Sequence, residues 1–534
     1  MSQKKSWTCT GVPLEKYRDQ YPEFPHTSEE NTDDFCKYCA LPREAVIEEI
    51  IKPPPNPIKV IGIILGIAFL GGAGFGIWHW TSAEKESGGE EEEVITIIKS
   101  PLSTLNTPNL VSRNAKQPAL ISQGETILLP LEPRSQKDTG AYAFGQGYWD
   151  GAIEAYRQAI NDNRNDPEAK IYLNNAKAAK NGNVMTMAVV VPITSSQNEA
   201  QEVLRGVAQY QDEYNEKMPS QFLEVVLVNE ERSNLSQALA QDLIQATQVL
   251  GVLGHGVDNN SREALELYEQ NQMAVLSTLN TIINKQGNQS IVKTISVGQT
   301  DVLLNTYLSK VGKTLVNYAI KNHYPSQVAV FYNSDSSYSQ KLKNEFVKEI
   351  QQTNGRIVQE IDVTSTGFRA DSAIDQVIGA GANIAFLALS NDHVKTAVDL
   401  AQANRNELVL LGGNELYNPT LLIAGGSAIE GIVLAVPWQW RDTDEFATQA
   451  AKLWQGRISW RTATTYDATQ ALVQAFNQHP GNRAAIAQAL NQGITLTTSA
   501  TEFDIVNDIP LVKAVPGPDG PQRSNYQFDP VPLN

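Results

Sequence analysis

Two hydrophobic patterns divide the 534-residue chain. The first is an unbroken apolar run, Val60 to Trp78, with no polar face. At 1.5 Å of rise per residue it spans roughly 29 Å, close to the thickness of a hydrocarbon core. A helix satisfies its own backbone in lipid, so residues 58–80 read as a transmembrane helix. A cleaved leader is the competing reading, but its apolar core would begin at about residue 5 to 10.

The second pattern begins near residue 184, where short apolar runs alternate with stretches of helical spacing. Met185–Ile193, Phe222–Val228, Val249–Gly254, Ala274–Leu276, Gln327–Tyr332, Ile357–Val363, Ile384–Leu389 and Leu408–Leu411 read as strands. Glu199–Lys217, Leu235–Val249, Arg262–Gln270, Val302–Ile320, Tyr338–Gln352, Ser372–Ile378 and His393–Ala403 read as helices. This alternation predicts βαβ units and parallel sheets, an α/β fold. About 350 residues exceed one core, so residues 183–534 are expected to form two lobes.

Between these patterns lie two further segments. Residues 81–136 carry the acidic block Glu90–Glu93 and scattered Pro, Ser, Asn and Thr, and read as an extended linker with a short strand at Glu125–Leu129. Residues 137–182 show helical spacing, with Asp166-Pro167-Glu168 as a helix start. Gly147, Trp149, Ala152, Tyr156 and Ala159 carry small and aromatic residues that let two helices approach. Their spacing resembles one tetratricopeptide repeat, although Pro167 arrives three residues late. A plain helical hairpin and a peptide-binding repeat both fit.

Charge orients the chain. Lys52 and Lys59 precede the apolar run and the acidic block follows it, which places the N-terminus in the cytoplasm and the C-terminal body outside it. Net charge is -17, which argues against nucleic acid as a partner. Cys9, Cys36 and Cys39 all lie in the head, residues 1–57, so the outer body has no disulfide. Three thiols in a reducing compartment are either free or metal-bound. Cys36-Lys37-Tyr38-Cys39 has a bite that suits zinc, with Cys9 as a third ligand and His26 as a fourth. Gly62 with Gly66 and Gly72 with Gly76 have spacings that bring membrane helices together in a homodimer.

Catalytic patterns are missing. Gly312-Lys313-Thr314 recurs in phosphate loops, but Tyr307 stands where the first glycine belongs and the tripeptide lies in a helical pattern. There is no G-x-S-x-G elbow and no His pair at metal-ligand spacing on one helix. The expectation is that the protein is not an enzyme.

The ordered series VVVPIT, GVLGHG, AVLSTLNT, QVAVFYNSDSSYSQKLKNEFVKEIQQTNGRIV, IAFLALS, LVLLGGNELYN and TTYDATQALVQAF resembles type I periplasmic binding proteins of the leucine/isoleucine/valine-binding branch. The likeness runs from about Thr186 to Phe528. It implies two hinged lobes that close on a small ligand at the carboxyl ends of their strands. Carried over by position, the family's ligand contacts fall on Asn259 and Asn260, on Leu279 and Thr281, and on Tyr338. A second family aromatic aligns with Ser390 and the acidic partner of the ligand's amine with Asn414, beside Glu415. Those two departures put a standard α-amino acid in doubt. The resemblance implies a membrane-anchored solute-binding protein that serves a permease or a signalling partner. The alternative is a scaffold without small ligand, which recruits partner proteins.

Overall fold

The computed structural model describes residues 7–9, 29–31, 46, 120–230, 235–256, 259–286, 289–496, 499–500, 509–521 and 524–532. The chain forms two compact units, Met1–Thr96 and Ile97–Asn534. In the first, strands β1 (Trp7–Cys9) and β2 (Glu29–Asn31) pair antiparallel, with Cys9 opposite Glu29. The apolar run Val60–Trp78, together with His26, Cys36 and Cys39, lies outside the described residues. Among the described residues no helix is long and apolar enough to cross a membrane.

The described part of the second unit begins with β3 (Ile121–Ser122) and three helices, α1 (Ser135–Gly145), α2 (Trp149–Asp162) and α3 (Pro167–Asn181). The sequence signals for α3 act as read. Asp166 caps it by accepting the Ala169 N–H at 3.0 Å, and Pro167 fixes the first turn. The strand expected at Glu125–Leu129 is absent. The strand is β3, and the apolar Ile127-Leu128-Leu129 is held instead by side chains of the helices.

Lobe 1 follows: β4 (Val184–Val191), α4 (Gln197–Lys217), β5 (Phe222–Asn229), α5 (Ser236–Gln245), β6 (Val249–Gly254), α6 (Asn259–Gln270) and β7 (Ala274–Leu276). Its sheet runs β3-β5-β4-β6-β7, parallel except for β3. The central strands are buried on both faces and largely apolar because helices cover both sides, with Thr186 and Glu224 polar exceptions, hydrogen-bonded to each other at 2.9 Å. Between β7 and lobe 2 lies a hairpin, β8 (Thr281–Gln286) and β9 (Gln289–Thr294).

Lobe 2 begins with the long helix α7 (Thr300–Asn322). It continues through β10 (Gln327–Tyr332), α8 (Ser337–Ile350), β11 (Arg356–Asp362), α9 (Ala370–Gly379), β12 (Ile384–Ala388), α10 (Val394–Asn404), β13 (Val409–Gly412), α11 (Pro419–Gly425) and β14 (Val433–Ala435). The chain returns to lobe 1 as α12 (Glu445–Trp454), α13 (Trp460–Gln478), α14 (Arg483–Gln492) and β15 (Ile494–Thr495), which joins the hairpin. It ends in lobe 2 with β16 (Leu511–Pro516) and β17 (Tyr526–Pro530), antiparallel strands that extend the sheet to the order β11-β10-β12-β13-β14-β16-β17. The chain thus passes between lobes three times: after β9, after β14 and after β15. Two of these passages are tied together where Trp438 Nε1 donates to Ala500 O at 3.2 Å. Each lobe has its own apolar core, around Val190, Val226 and Val252 in lobe 1 and around Val330, Phe346 and Phe386 in lobe 2.

Candidate functional site

Parallel strands leave their carboxyl ends on one edge of each sheet, and the loops there carry polar residues between two helix-covered faces. In lobe 2 the loop after β13 turns into Asn414 and Glu415. Asn414 Oδ1 accepts Tyr338 OH at 2.9 Å and Tyr307 OH at 3.1 Å, and its Nδ2 donates to Glu415 Oε1 at 3.0 Å. Tyr338 comes from the first turn of α8 and Tyr307 from α7. Burial pushes the Tyr338 phenol well above its usual range, and the nearby Glu415 charge adds to it, so this hydroxyl remains a donor.

Lobe 1 answers with Arg461, at the start of α13. It is buried, with its Nη2 3.0 Å from Glu415 Oε2 and its Nε 3.7 Å from Glu199 Oε1 on α4. Burial works to lower its pKa, but Glu415, Glu199 and Glu202 outweigh this and raise it, so the guanidinium stays charged. Its plane sits 4.4 Å over the Trp460 ring. The Trp460 indole N–H is buried and has no hydrogen-bond partner among the described residues. Loop side chains near this pair also bond across the lobes. Asn391 Nδ2 donates to Ser196 Oγ at 2.6 Å and to Glu199 Oε2 at 3.0 Å, and Asn198 Nδ2 donates to Thr420 Oγ1 at 2.8 Å.

The residues picked out from sequence are distributed between the lobes. Tyr338, Asn414 and Glu415 come together as one cluster. Ser390 follows β12 and exchanges two hydrogen bonds with Asn333, each of 3.0 Å, one through its hydroxyl and one through its backbone N–H. Asn259 and Asn260 open α6 at the edge of lobe 1. The Leu279 side chain belongs to the lobe 1 core. Thr281 begins β8, where its N–H donates to Ser277 O at 3.0 Å and its hydroxyl to Asn280 Oδ1 at 3.2 Å. Asn280, between them, lines a separate open concavity of about 560 Å³ bounded by α6, β7 and α14. Arg461, Glu199 and Tyr307 were not read from the sequence. A lone arginine after a tryptophan carries no local signal, because its partners arrive from distant segments.

Two other groups bear on chemistry. His255, at φ 67° after β6, has Nδ1 2.9 Å from Glu230 Oε1 and Nε2 3.2 Å from Tyr268 OH. This array has the form of an acid–base relay, yet all three members are buried, and burial lifts the Tyr268 phenol well above its usual range. It ties β5, β6 and α6 together. Among the described residues no cluster of three or more His, Cys, Asp or Glu could hold a metal ion. Of the zinc ligands expected in the head, only Cys9 is described, on β1.

Two α/β lobes joined by three passages, with polar groups meeting between their strand ends, define the architecture of a solute-binding protein. The chain belongs to the periplasmic binding protein family, whose pattern matches residues 185–506. The fold is shared with the branched-chain amino acid transporter substrate-binding protein of Streptococcus pneumoniae in complex with isoleucine. That likeness has a TM-score of 0.50 at 13% identity and covers 65% of this chain and 100% of that one. A solute-binding protein of an ABC transporter from Rhodopseudomonas palustris, in complex with 3,4-dihydroxybenzoic acid, matches with a TM-score of 0.50 at 16% identity, over 63% of this chain and 94% of that one. An ABC transporter substrate-binding protein from Sphaerobacter thermophilus matches with the same TM-score at 15% identity, over 65% and 98%. No curated protein matches the chain.

Proposed function

We propose that this protein is an extracytoplasmic solute-binding protein, held at the membrane by residues 58–80, that captures a small carboxylate-bearing solute, an amino acid or a derivative, between its lobes. The observation that carries this reading is Arg461, a buried guanidinium reached from both lobes. A guanidinium presents a fork that matches a carboxylate. Glu199 and Glu415 beside it suit an amine on the same molecule, and the indole N–H of Trp460 supplies a neutral donor. The solutes named for two relatives of the fold, isoleucine and 3,4-dihydroxybenzoic acid, both carry a carboxylate. Hinge closure over such a solute would be read by an ABC-type permease or by a sensing partner, without chemistry on the solute.

A specific observation favours a second reading, a scaffold with no small ligand. Glu415 already occupies Arg461 across the lobes, as a ligand carboxylate would. Thermal unfolding of the full chain against amino acids and small carboxylates separates the two. A solute at 100-fold its dissociation constant adds about 2.7 kcal/mol of stability. A rise with one chemical class supports capture, and a flat response across the panel leaves the scaffold.

A further inference from the structure

Residues 123–132 join β3 to α1 with little regular structure, so their main-chain groups need partners from elsewhere. The three helices α1–α3 provide them through side chains. Asn175 Nδ2 donates to Gln123 O at 2.6 Å and also to Val225 O in β5 at 2.7 Å. Tyr156 OH donates to Gly124 O, and Tyr172 OH to Thr126 O at 3.0 Å. Glu168 Oε1 accepts the N–H groups of Leu128 at 2.7 Å and Leu129 at 3.0 Å. Lys137 Nζ donates to Leu129 O at 2.8 Å while pairing with Asp166 at 2.8 Å and Glu168 at 2.7 Å.

Nearly every one of these bonds addresses backbone rather than side chain. That is how a protein holds an extended peptide. Side-chain selectivity enters at two places. A Cβ at Gly124 would lie 2.8 Å from the Phe144 ring, and φ there is +149°. Leu128 and Leu129 are buried. The cradle therefore fits a peptide of pattern Gly-x3-Leu-Leu. It also needs an occupant. Lys137, Asp166 and Glu168 form a buried ion cluster, and the peptide N–H groups satisfy a carboxylate oxygen that is otherwise stranded in the interior.

We propose that α1–α3 form a peptide-binding site and that its resident ligand is the chain's own segment 122–132. The site is closed to a partner's peptide while that segment stays, and the segment fixes where the chain enters lobe 1. The test treats the segment as a ligand. In the full chain, a protease recognition sequence is inserted between Pro133 and Arg134, cut, and the product is run on size exclusion. The N-terminal fragment is expected to co-elute with the remainder. In the Tyr156→Phe/Tyr172→Phe variant, which keeps both rings and removes two bonds to the segment, the fragment should dissociate faster by on the order of tenfold or more. An excess of synthetic peptide 120–132 should displace it, and the same peptide with Gly124→Val should not. Circular dichroism of the uncut variant reports whether it folds, and Tyr172→Phe alone replaces it if it does not. Immediate separation of the fragment after cutting, equal dissociation from variant and parent, or equal competition by the substituted peptide overturns the proposal.

Discussion

Arg461 and Glu415 come from opposite lobes and meet at 3.0 Å in a buried setting. Burying the guanidinium is costly unless it is paired, and its counter-charges come from both lobes: Glu199 of its own lobe and Glu415 of the other. On the proposed function, a solute's carboxylate and amine would compete for the same two groups that now pair across the lobes.

Arg461→Met should destabilise the chain by about 1–3 kcal/mol, because Glu415 and Glu199, both only partly exposed, lose the charge-assisted contact to the guanidinium. Adding Glu415→Gln should recover part of that loss, with a coupling of about 0.5–3 kcal/mol in a double-mutant cycle. Urea unfolding of the four proteins measures it. Strictly additive effects would show that the two side chains do not support each other.

Tyr338→Phe removes one hydrogen bond to Asn414 and leaves Tyr307 in place. The expected cost is about 0.5–1.5 kcal/mol in urea unfolding. Solute affinity should fall with it when the phenol contacts the solute, and isothermal titration with a stabilising solute reports this. An affinity unchanged within error removes Tyr338 from the ligand shell.

Much of the fold was legible because its central strands are largely apolar on both faces and its helices are long. β12 announces itself as an unbroken apolar run, and β4 and β5 as strongly apolar runs bounded by helical spacing despite Thr186 and Glu224. The antiparallel additions were not legible. TIINKQ and QSIVKT of the β8–β9 hairpin, and YQFDP of β17, mix polar and apolar residues over five or six positions and resemble loops. Ile127-Leu128-Leu129 looked like a strand for the opposite reason. Leu128 and Leu129 are buried, but their backbone is met by Glu168 and Lys137 rather than by a neighbouring strand. At the candidate site, Tyr338 and Asn414, with Glu415 beside it, could be proposed by family likeness. Arg461 could not, since its role arises from residues 46 and 262 positions away in the chain.

Gly206 on α4 marks a close helix crossing with α13. A Cβ there would collide with Thr465 Oγ1 and Thr462 O and lie 2.7 Å from Tyr466 N. Backbone atoms cannot yield as a flexible side chain would. Gly206→Val should therefore cost about 1–3 kcal/mol or more by forcing the helices apart. Gly379→Ala is the matched control, with nothing within 4 Å of its added Cβ, and should be neutral or stabilise by up to about 1 kcal/mol. Thermal midpoints of the two variants test the contrast, and equal shifts would remove the steric argument.

The same helix pair holds a pH-sensitive contact. Glu202 on α4 is buried, pairs with Arg205, and accepts the Ser459 N–H at 3.2 Å and the Thr462 hydroxyl at 2.8 Å. Burial works to raise its pKa, but the guanidinium and the hydrogen bonds outweigh it, and the carboxyl is held below its ordinary 4.5. Its folded-state pKa is thus lower than its unfolded one. The unfolded chain binds the proton first as pH falls, so the stabilisation is fully present above about pH 4.5 and disappears as pH drops through the folded value. Glu202→Gln removes the titrating group while keeping its shape. At pH 7 the variant should be less stable by about 1.5–3 kcal/mol, the worth of hydrogen bonds to a charged group. Urea midpoints should converge with those of the parent as pH is taken below about 4.5. A gap between the two proteins that stays constant from neutral to acid pH would show that Glu202 does not titrate with folding.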